Sequence, residues 1–426
     1  MIKILKCGSV PPSEIFARVE PKVDVSAIVS EIIDTVRKDG DAALFRYAEK
    51  FDKATLSSLM VTKEEMAAAI ESVEPRFLEV LRRAAENIRK FHQKQVRTGF
   101  EIKDEDGVIM GQKITPVDRA GLYVPGGTAA YPSTVLMDAI PAKIAGCPEV
   151  VMVTPPSSDG TINPVILAAA FVAGVDKIFK VGGAQAVAAL AYGTESIPMV
   201  DKIVGPGNAF VAEAKRQVFG AVSIDMIAGP SEIMILADEK SNPAHLAADL
   251  LSQAEHDKLA SAVLVTDSAA LAEKVQAELE VQIPTLSRCE IARESIDNNG
   301  KIIVAESLVE AIDIVNEIAP EHLELSVDNP FDYLPKIRHA GSIFMGRYCP
   351  EALGDYMAGP NHTLPTSGTA KFASPLSVDD FIKKTQYTLF SRDALARYAS
   401  DVGYFAEKEG LTAHAKSARI RTEDEK

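Results

Sequence analysis

The sequence predicts an α/β protein of two parallel-sheet units covered by helices, with helical extensions at both ends. Three observations carry that expectation. From about residue 117, short apolar runs end in glycine turns and lead into alanine-rich helices, the pattern of a parallel sheet. A small internal echo, "VDKIFKVGG" at 175–183 and "VDKIVGPGN" at 200–208, repeats the strand-and-turn unit. A chain of 426 residues also exceeds what one hydrophobic core serves, so two or more domains are expected.

The elements follow in order. "MIKILKCGSVPP" holds an apolar run far too short for a signal peptide. Residues 25–96 have apolar positions at helical spacing, with a break at Glu74-Pro75. Then "EVVMVTPP", "KIFKVGG" and "KIVGPGN" read as strands running into turns, each followed by a helix. Beyond them, 231–238, 261–268, 301–307, 322–327 and 341–346 read as further strands, with an amphipathic helix ending in "DLLSQAEHD" between the first two. The loop "LGDYMAGPNHTLPTSG" (353–368) is expected to be long and ordered. From "SVDDFIKKTQYTLF" onward the pattern suggests amphipathic helix.

Composition narrows the class. Apolar residues make up 47% and charged residues 25%, as in soluble globular proteins. A net charge of −15 argues against nucleic acid or an anionic membrane as partner. The basic run at 82–98 is spread along a helical pattern and reads as a solvated face. No window approaches the uncharged span of about 18 residues that a transmembrane helix needs. Cys7, Cys147, Cys289 and Cys349 lie too far apart for a zinc knuckle or a disulfide framework, so a reducing cytoplasm is expected.

Several stretches could carry chemistry. The turns "VGGAQA" and "GPGNAF" each open a helix, where free N–H groups favour a phosphate; the amides Gln185 and Asn208 occur in them. Neither is a GxGxxG fingerprint with its acidic ribose partner, and on spacing alone tight βα turns are the plainer reading. In "IAPEHLEL", Glu321 beside His322 suits general base catalysis if both side chains enter one pocket, which a regular strand forbids. A solvated Glu beside a packing His is the plainer alternative. Gln253 and His256, three apart on one helix, either cap a core edge or form half of a metal site. Asp355, His362, Glu409 and His414 supply further polar candidates, although glutamine is an unusual zinc ligand. Of the seven histidines, His92, His245 and His339 are expected at the surface. Cys349 is the one plausible catalytic thiol and Cys147 a weaker one, but neither has a neighbouring base.

Taken together, "YVPGG", "VGGAQAVAALAYGTE", "GPGNAFVAEAKRQV", "IDMIAGPSEIMILAD", "HLAADLLSQAEHD", "APEHLEL", "GDYMAGPNHTLPTSGTAKF" and "EGLTAHAKS" closely resemble the histidinol dehydrogenases. The resemblance runs from about residue 20 to 420 and implies two Rossmann-like parallel-sheet domains of the aldehyde-dehydrogenase-like class. It implies oxidation of L-histidinol to L-histidine through bound L-histidinaldehyde with two NAD, and one substrate-anchoring zinc per subunit. By motif, Gln253, His256, Asp355 and His414 resemble the zinc ligands, which also contact substrate. His322 resembles the general base and Glu321 the water-activating residue. Ser231, His362, Glu409 and again Glu321 match substrate contacts; Tyr123, Gln185 and Asn208 match NAD contacts. The implied organisation is an N-terminal arm (1–20), a catalytic α/β domain (21–122 and 232–376), an NAD-binding domain (123–231) and a dimerisation tail (377–426). That tail would carry Glu409 and His414 into the partner of a homodimer. A sister zinc- and NAD-dependent dehydrogenase of another primary alcohol, such as a sulfonated diol, is the rival reading. A metal-stabilised binding protein without turnover is a weaker one, because nothing structural demands Glu321 and His322 together.

Overall fold

In the computed structural model, residues 1–18, 24–104, 107–126 and 130–423 are described. Gly127 of the "YVPGG" turn and the end of the expected N-terminal arm lie outside them. The chain divides into two compact units, Met1–Gln95 with Val117–Phe381, and Val96–Pro116 with Ile382–Lys426.

Strands are numbered along the chain. The first three are β1 (Lys3–Lys6), β2 (Phe100–Lys103) and β3 (Ile109–Pro116). Next come β4 (Arg119–Tyr123), β5 (Glu149–Thr154), β6 (Lys177–Lys180), β7 (Lys202–Val204) and β8 (Ser223–Ile224). They are followed by β9 (Glu232–Ala237), β10 (Ser261–Thr266), β11 (Lys301–Val304), β12 (His322–Ser326) and β13 (Ser342–Met345). The last is β14 (Ile382–Leu389).

The larger unit holds two parallel sheets. One runs β6-β5-β4-β7-β8, the other β1-β11-β10-β9-β12-β13. Each reverses its strand order once, at β4/β7 and at β9/β12, the switch points where doubly wound sheets place their sites. Strands covered by helices on both faces read as unbroken apolar runs, and Val150–Val153 and Ile233–Ala237 are buried throughout. Helices between strands begin at side-chain caps, including Asn163, Asn208 and Asn242.

Four expectations need correction. The N-terminal stretch is not only an arm: Lys3–Lys6 adds β1 to the edge of the second sheet, pairing Lys3 with Lys301. The tail does not return directly to helix. "IKKTQYTL" is β14, antiparallel to β3 from Ile382↔Pro116 to Leu389↔Ile109, because its Ile, Thr and Tyr suit an extended backbone and β3 offers a backbone edge, although all but Ile382 are exposed on this chain. The smaller unit is thus a β14-β3-β2 sheet with helices Arg392–Lys408 and Thr412–Arg419. The loop expected at 353–368 begins as the helix Glu351–Tyr356, so Asp355 sits on a helical turn. His92 is fully buried rather than superficial, with Nδ1 on the Ile88 carbonyl at 2.9 Å.

Candidate active site

Glu321 and His322 share one pocket because Glu321 stands just outside the regular strand. Ala319 takes a left-handed φ of 50°, Pro320 follows, and β12 begins only at His322. Alternation therefore does not separate the two side chains, and Glu321 Oε2 lies 3.6 Å from His322 Nδ1. Neighbouring β9 completes the frame. The Glu232 N–H donates to Glu321 Oε2 at 2.8 Å, and His322 Nδ1 lies 2.9 Å from the Glu232 carbonyl. A carbonyl only accepts, so Nδ1 carries the proton and Nε2 presents a lone pair. Among the described residues, that Nε2 is buried and has no hydrogen-bond partner. Phe344 stacks on the ring at 6.1 Å.

Electrostatics follow from burial. Desolvation pushes Glu321 up to about 7, against the opposing pull of His322 and the Glu232 N–H. Burial pulls His322 down, but Glu321, Glu351 and Asp355 outweigh it and its pKa ends raised. The thiol alternative fails at Cys147, where burial raises the pKa to about 11 and leaves no thiolate at neutral pH.

A metal-capable group adjoins the pair. His322, Glu351 and Asp355 place ligand atoms within 4.8 Å of one another. Gln253 closes the last turn of the helix Pro243–Ala254, and His256 stands just beyond it, its N–H on the Gln253 carbonyl at 3.0 Å. Gln253 is 1% exposed, and among the described residues its Oε1 and Nε2 make no closely aligned hydrogen bond, although the amide faces the Glu351 carboxylate. Burial opposes the ionised form of Asp355, but the His362 hydrogen bond at 3.1 Å and the charges of His362, His322 and His256 hold it at about 2. Burial in turn lowers His256 and favours its neutral form. A buried amide, a fixed carboxylate and a neutral imidazole are donors in the states a divalent ion requires.

Ser231 lies half-buried just before β9, beside the Glu232 that frames His322. His362 is half-buried against Asp355, with Thr134 Oγ1 3.4 Å from its Nε2. Glu409 and His414 belong to the smaller unit, His414 in the helix Thr412–Arg419, and both are exposed on this chain.

At the carboxyl ends of β4–β7 a cavity of about 940 Å³ is lined by Tyr123, Gln185 and Asn208 among others. Tyr123 ends β4, and its hydroxyl accepts from the Gly183 N–H at 3.1 Å. The two amides are not equivalent. Gln185 sits in the first turn of the helix Gly183–Tyr192, whereas Asn208 caps its helix by accepting from Phe210 and Val211. Beneath the second turn, Lys215 and Asp225 form an ion pair with 2% and 1% side-chain exposure. Lys215 Nζ donates to the Gly205 carbonyl at 3.0 Å, and Asp225 Oδ2 accepts from the Gly205 N–H at 2.8 Å. Gly205 has φ +115°, and a Cβ there would collide with the Tyr123 carbonyl. The pair thus clamps a turn that only glycine permits.

Sequence reasoning missed Glu351 and this clamp. Glu351 lies four residues before Asp355, on one helical face, a spacing that could have revealed it. Nothing local joins Lys215 to Asp225.

The family model for histidinol dehydrogenase matches residues 17–422 of this chain. A curated relative, "Histidinol dehydrogenase" of Clostridium acetobutylicum, is 54% identical over 426 residues, covering 99% of each chain. One from Listeria monocytogenes is 56% identical over 403 residues, covering 95% of this chain and 94% of its own. The crystal structure of histidinol dehydrogenase from Elizabethkingia anophelis superposes with a TM-score of 0.93 at 38% identity, covering 99% of this chain and 98% of that one.

Proposed function

The chain belongs to the histidinol dehydrogenase family, and from that premise we propose that it oxidises L-histidinol to L-histidine through bound L-histidinaldehyde. The observation that carries the mechanism is the buried, unpartnered Nε2 of His322 beside a carboxyl raised by burial. Tyr123, Gln185 and Asn208 would hold NAD, which would supply a two-electron acceptor for each of the two oxidations. Gln253, His256 and Asp355, with the His414 of a partner subunit, would hold zinc, which would supply a Lewis-acidic anchor for the substrate.

The residues divide the proton work. His322 Nε2 takes the hydroxyl proton as the carbinol hydride departs, leaving an aldehyde. Glu321 then draws a proton from water, whose oxygen adds to the aldehyde carbon while the carbonyl oxygen takes the proton held on His322, giving a hydrate. His322, neutral again, takes a proton from the hydrate as the second hydride departs, leaving the carboxylic acid, which loses its remaining proton to solvent to become the carboxylate. Glu232 fixes the tautomer through both steps, and Ser231, His362 and Glu409 position the substrate. Residues 123–231 bind the cofactor, and residues 21–122 with 232–376 carry the catalytic and metal groups. Residues 377–426 cross to the second subunit of a homodimer. No helix among the described residues is long and apolar enough to cross a membrane, which accords with a cytoplasmic enzyme.

The division of labour is tested by supplying the aldehyde directly. Glu321→Gln should lose oxidation of L-histidinaldehyde while retaining the reverse reduction of aldehyde to alcohol. His322→Ala should lose both by roughly two to four orders of magnitude. Equal losses of both activities in Glu321→Gln would remove Glu321 from the hydration step.

A further inference from the structure

The cavity at the ends of β4–β7 holds a carboxylate that no role above uses. Asp52 ends a five-residue π-helical turn, Ala48–Asp52, and Lys53 after it takes a left-handed φ of 58°. π turns are rare and concentrate where a helix must aim a side chain at a site. A non-glycine residue in the left-handed region adds a backbone cost that an ordinary helix end avoids with glycine. The carboxylate this turn presents lines the cavity beside Tyr123, Gly183 and Gln185. Its Oδ2 is buried and, among the described residues, has no hydrogen-bond partner.

Much of the wall around it is apolar, with Phe51, Ile28, Ile32, Ile162 and Ile166 facing the same space and Lys50 also lining it. That combination suits a nucleoside: a flat base against the hydrocarbon, and a vicinal diol whose two hydroxyls both donate to one carboxylate. It does not suit a phosphate, which a carboxylate repels. Resting on the NAD reading above, we propose that Asp52 binds the adenosine ribose hydroxyls of the cofactor and makes the chain select NAD over NADP. In standard dinucleotide folds the acidic residue follows the glycine turn by about 20 residues. Here the helical segment before the sheet supplies it, which is why the region after the turns shows none. Burial raises Asp52 to about 6, so it is largely ionised at neutral pH and ready to accept. Burial, with the charge of Asp52 adding, holds the Tyr123 hydroxyl protonated at about 12.

Calorimetric binding of three nucleotides tests the assignment without turnover. The nucleotides are ADP-ribose, its 2′-deoxy analogue on the adenosine side, and its 2′-phosphorylated analogue. The wild-type chain should bind ADP-ribose roughly tenfold tighter than the 2′-deoxy compound, and tighter still than the 2′-phosphate. In Asp52→Ala, ADP-ribose and its 2′-deoxy analogue should bind within about twofold of each other, because the hydroxyl then has no charged acceptor. The 2′-phosphate should gain affinity in that variant. Wild-type binding that ignores the 2′-hydroxyl, or the same discrimination in Asp52→Ala, overturns the assignment and leaves the NAD site standing. A wild-type chain that binds none of the three overturns the NAD reading and the assignment together. The wild-type comparison stands by itself should the variant fold poorly.

Discussion

Replacing Gln253 by leucine should stabilise the metal-free chain and weaken zinc at the same time. Among the described residues, both polar atoms of the amide are buried without a closely aligned hydrogen bond, with the Glu351 carboxylate facing them, at 1% exposure for the residue. A buried unsatisfied polar group costs about 1–3 kcal/mol. Leucine is close to glutamine in volume and carries no polar atom, so the metal-free variant should gain about 2 kcal/mol. If Gln253 is a ligand, its loss should cost zinc affinity at least as much as losing an outer-shell partner does, about tenfold to a hundredfold. Each tenfold removes about 1.4 kcal/mol of zinc-linked stabilisation. The assay is urea unfolding of chelator-treated and zinc-loaded protein, with zinc affinity measured against a competing indicator. The reasoning is refuted if the metal-free variant unfolds earlier than wild type, or if zinc binds both equally.

Two further outcomes follow from charge and assembly. Burial, with the charge of Asp225 adding and His362 opposing, raises Asp138 from 3.8 to about 7. Between those values the folded chain binds the extra proton, so stability falls as pH rises through that window, by roughly 4 kcal/mol in all. Asp138→Asn should lose stability less steeply than wild type between pH 5 and pH 8, and an equal midpoint shift in the two chains would contradict it. Mixing inactive His322→Ala and His414→Ala chains, then allowing subunits to exchange, should restore activity, since one site of each mixed dimer is intact. No recovery would place His414 in its own chain's site or outside any site.

Much of this was legible because some signals are local. Glycine turns between apolar runs announced two parallel sheets, and both appeared with one switch point each. The adjacency of Glu321 and His322 flagged the pair, and the αL Ala319 with Pro320 explains how two neighbours point one way. Long-range pairing was hidden. β1 and β14 exist because distant edges needed partners, β11 for the first and β3 for the second, and neither edge is visible from the strand's own residues. Lys215 and Asp225 meet only through the fold, and Asp52 reaches the cavity at the ends of β4–β7 from a helical segment that precedes β4. His92 looked superficial because the charged neighbours on its helix face outward while its own face turns to the core.

The central claim is that one site performs both oxidations. Limiting L-histidinol, incubated with the protein and excess NAD, should yield two NADH per histidinol; chelation should abolish the signal and zinc restore it. One NADH with aldehyde released, or no NADH from histidinol while zinc stays bound, would contradict the account and turn attention to another alcohol, such as a sulfonated diol.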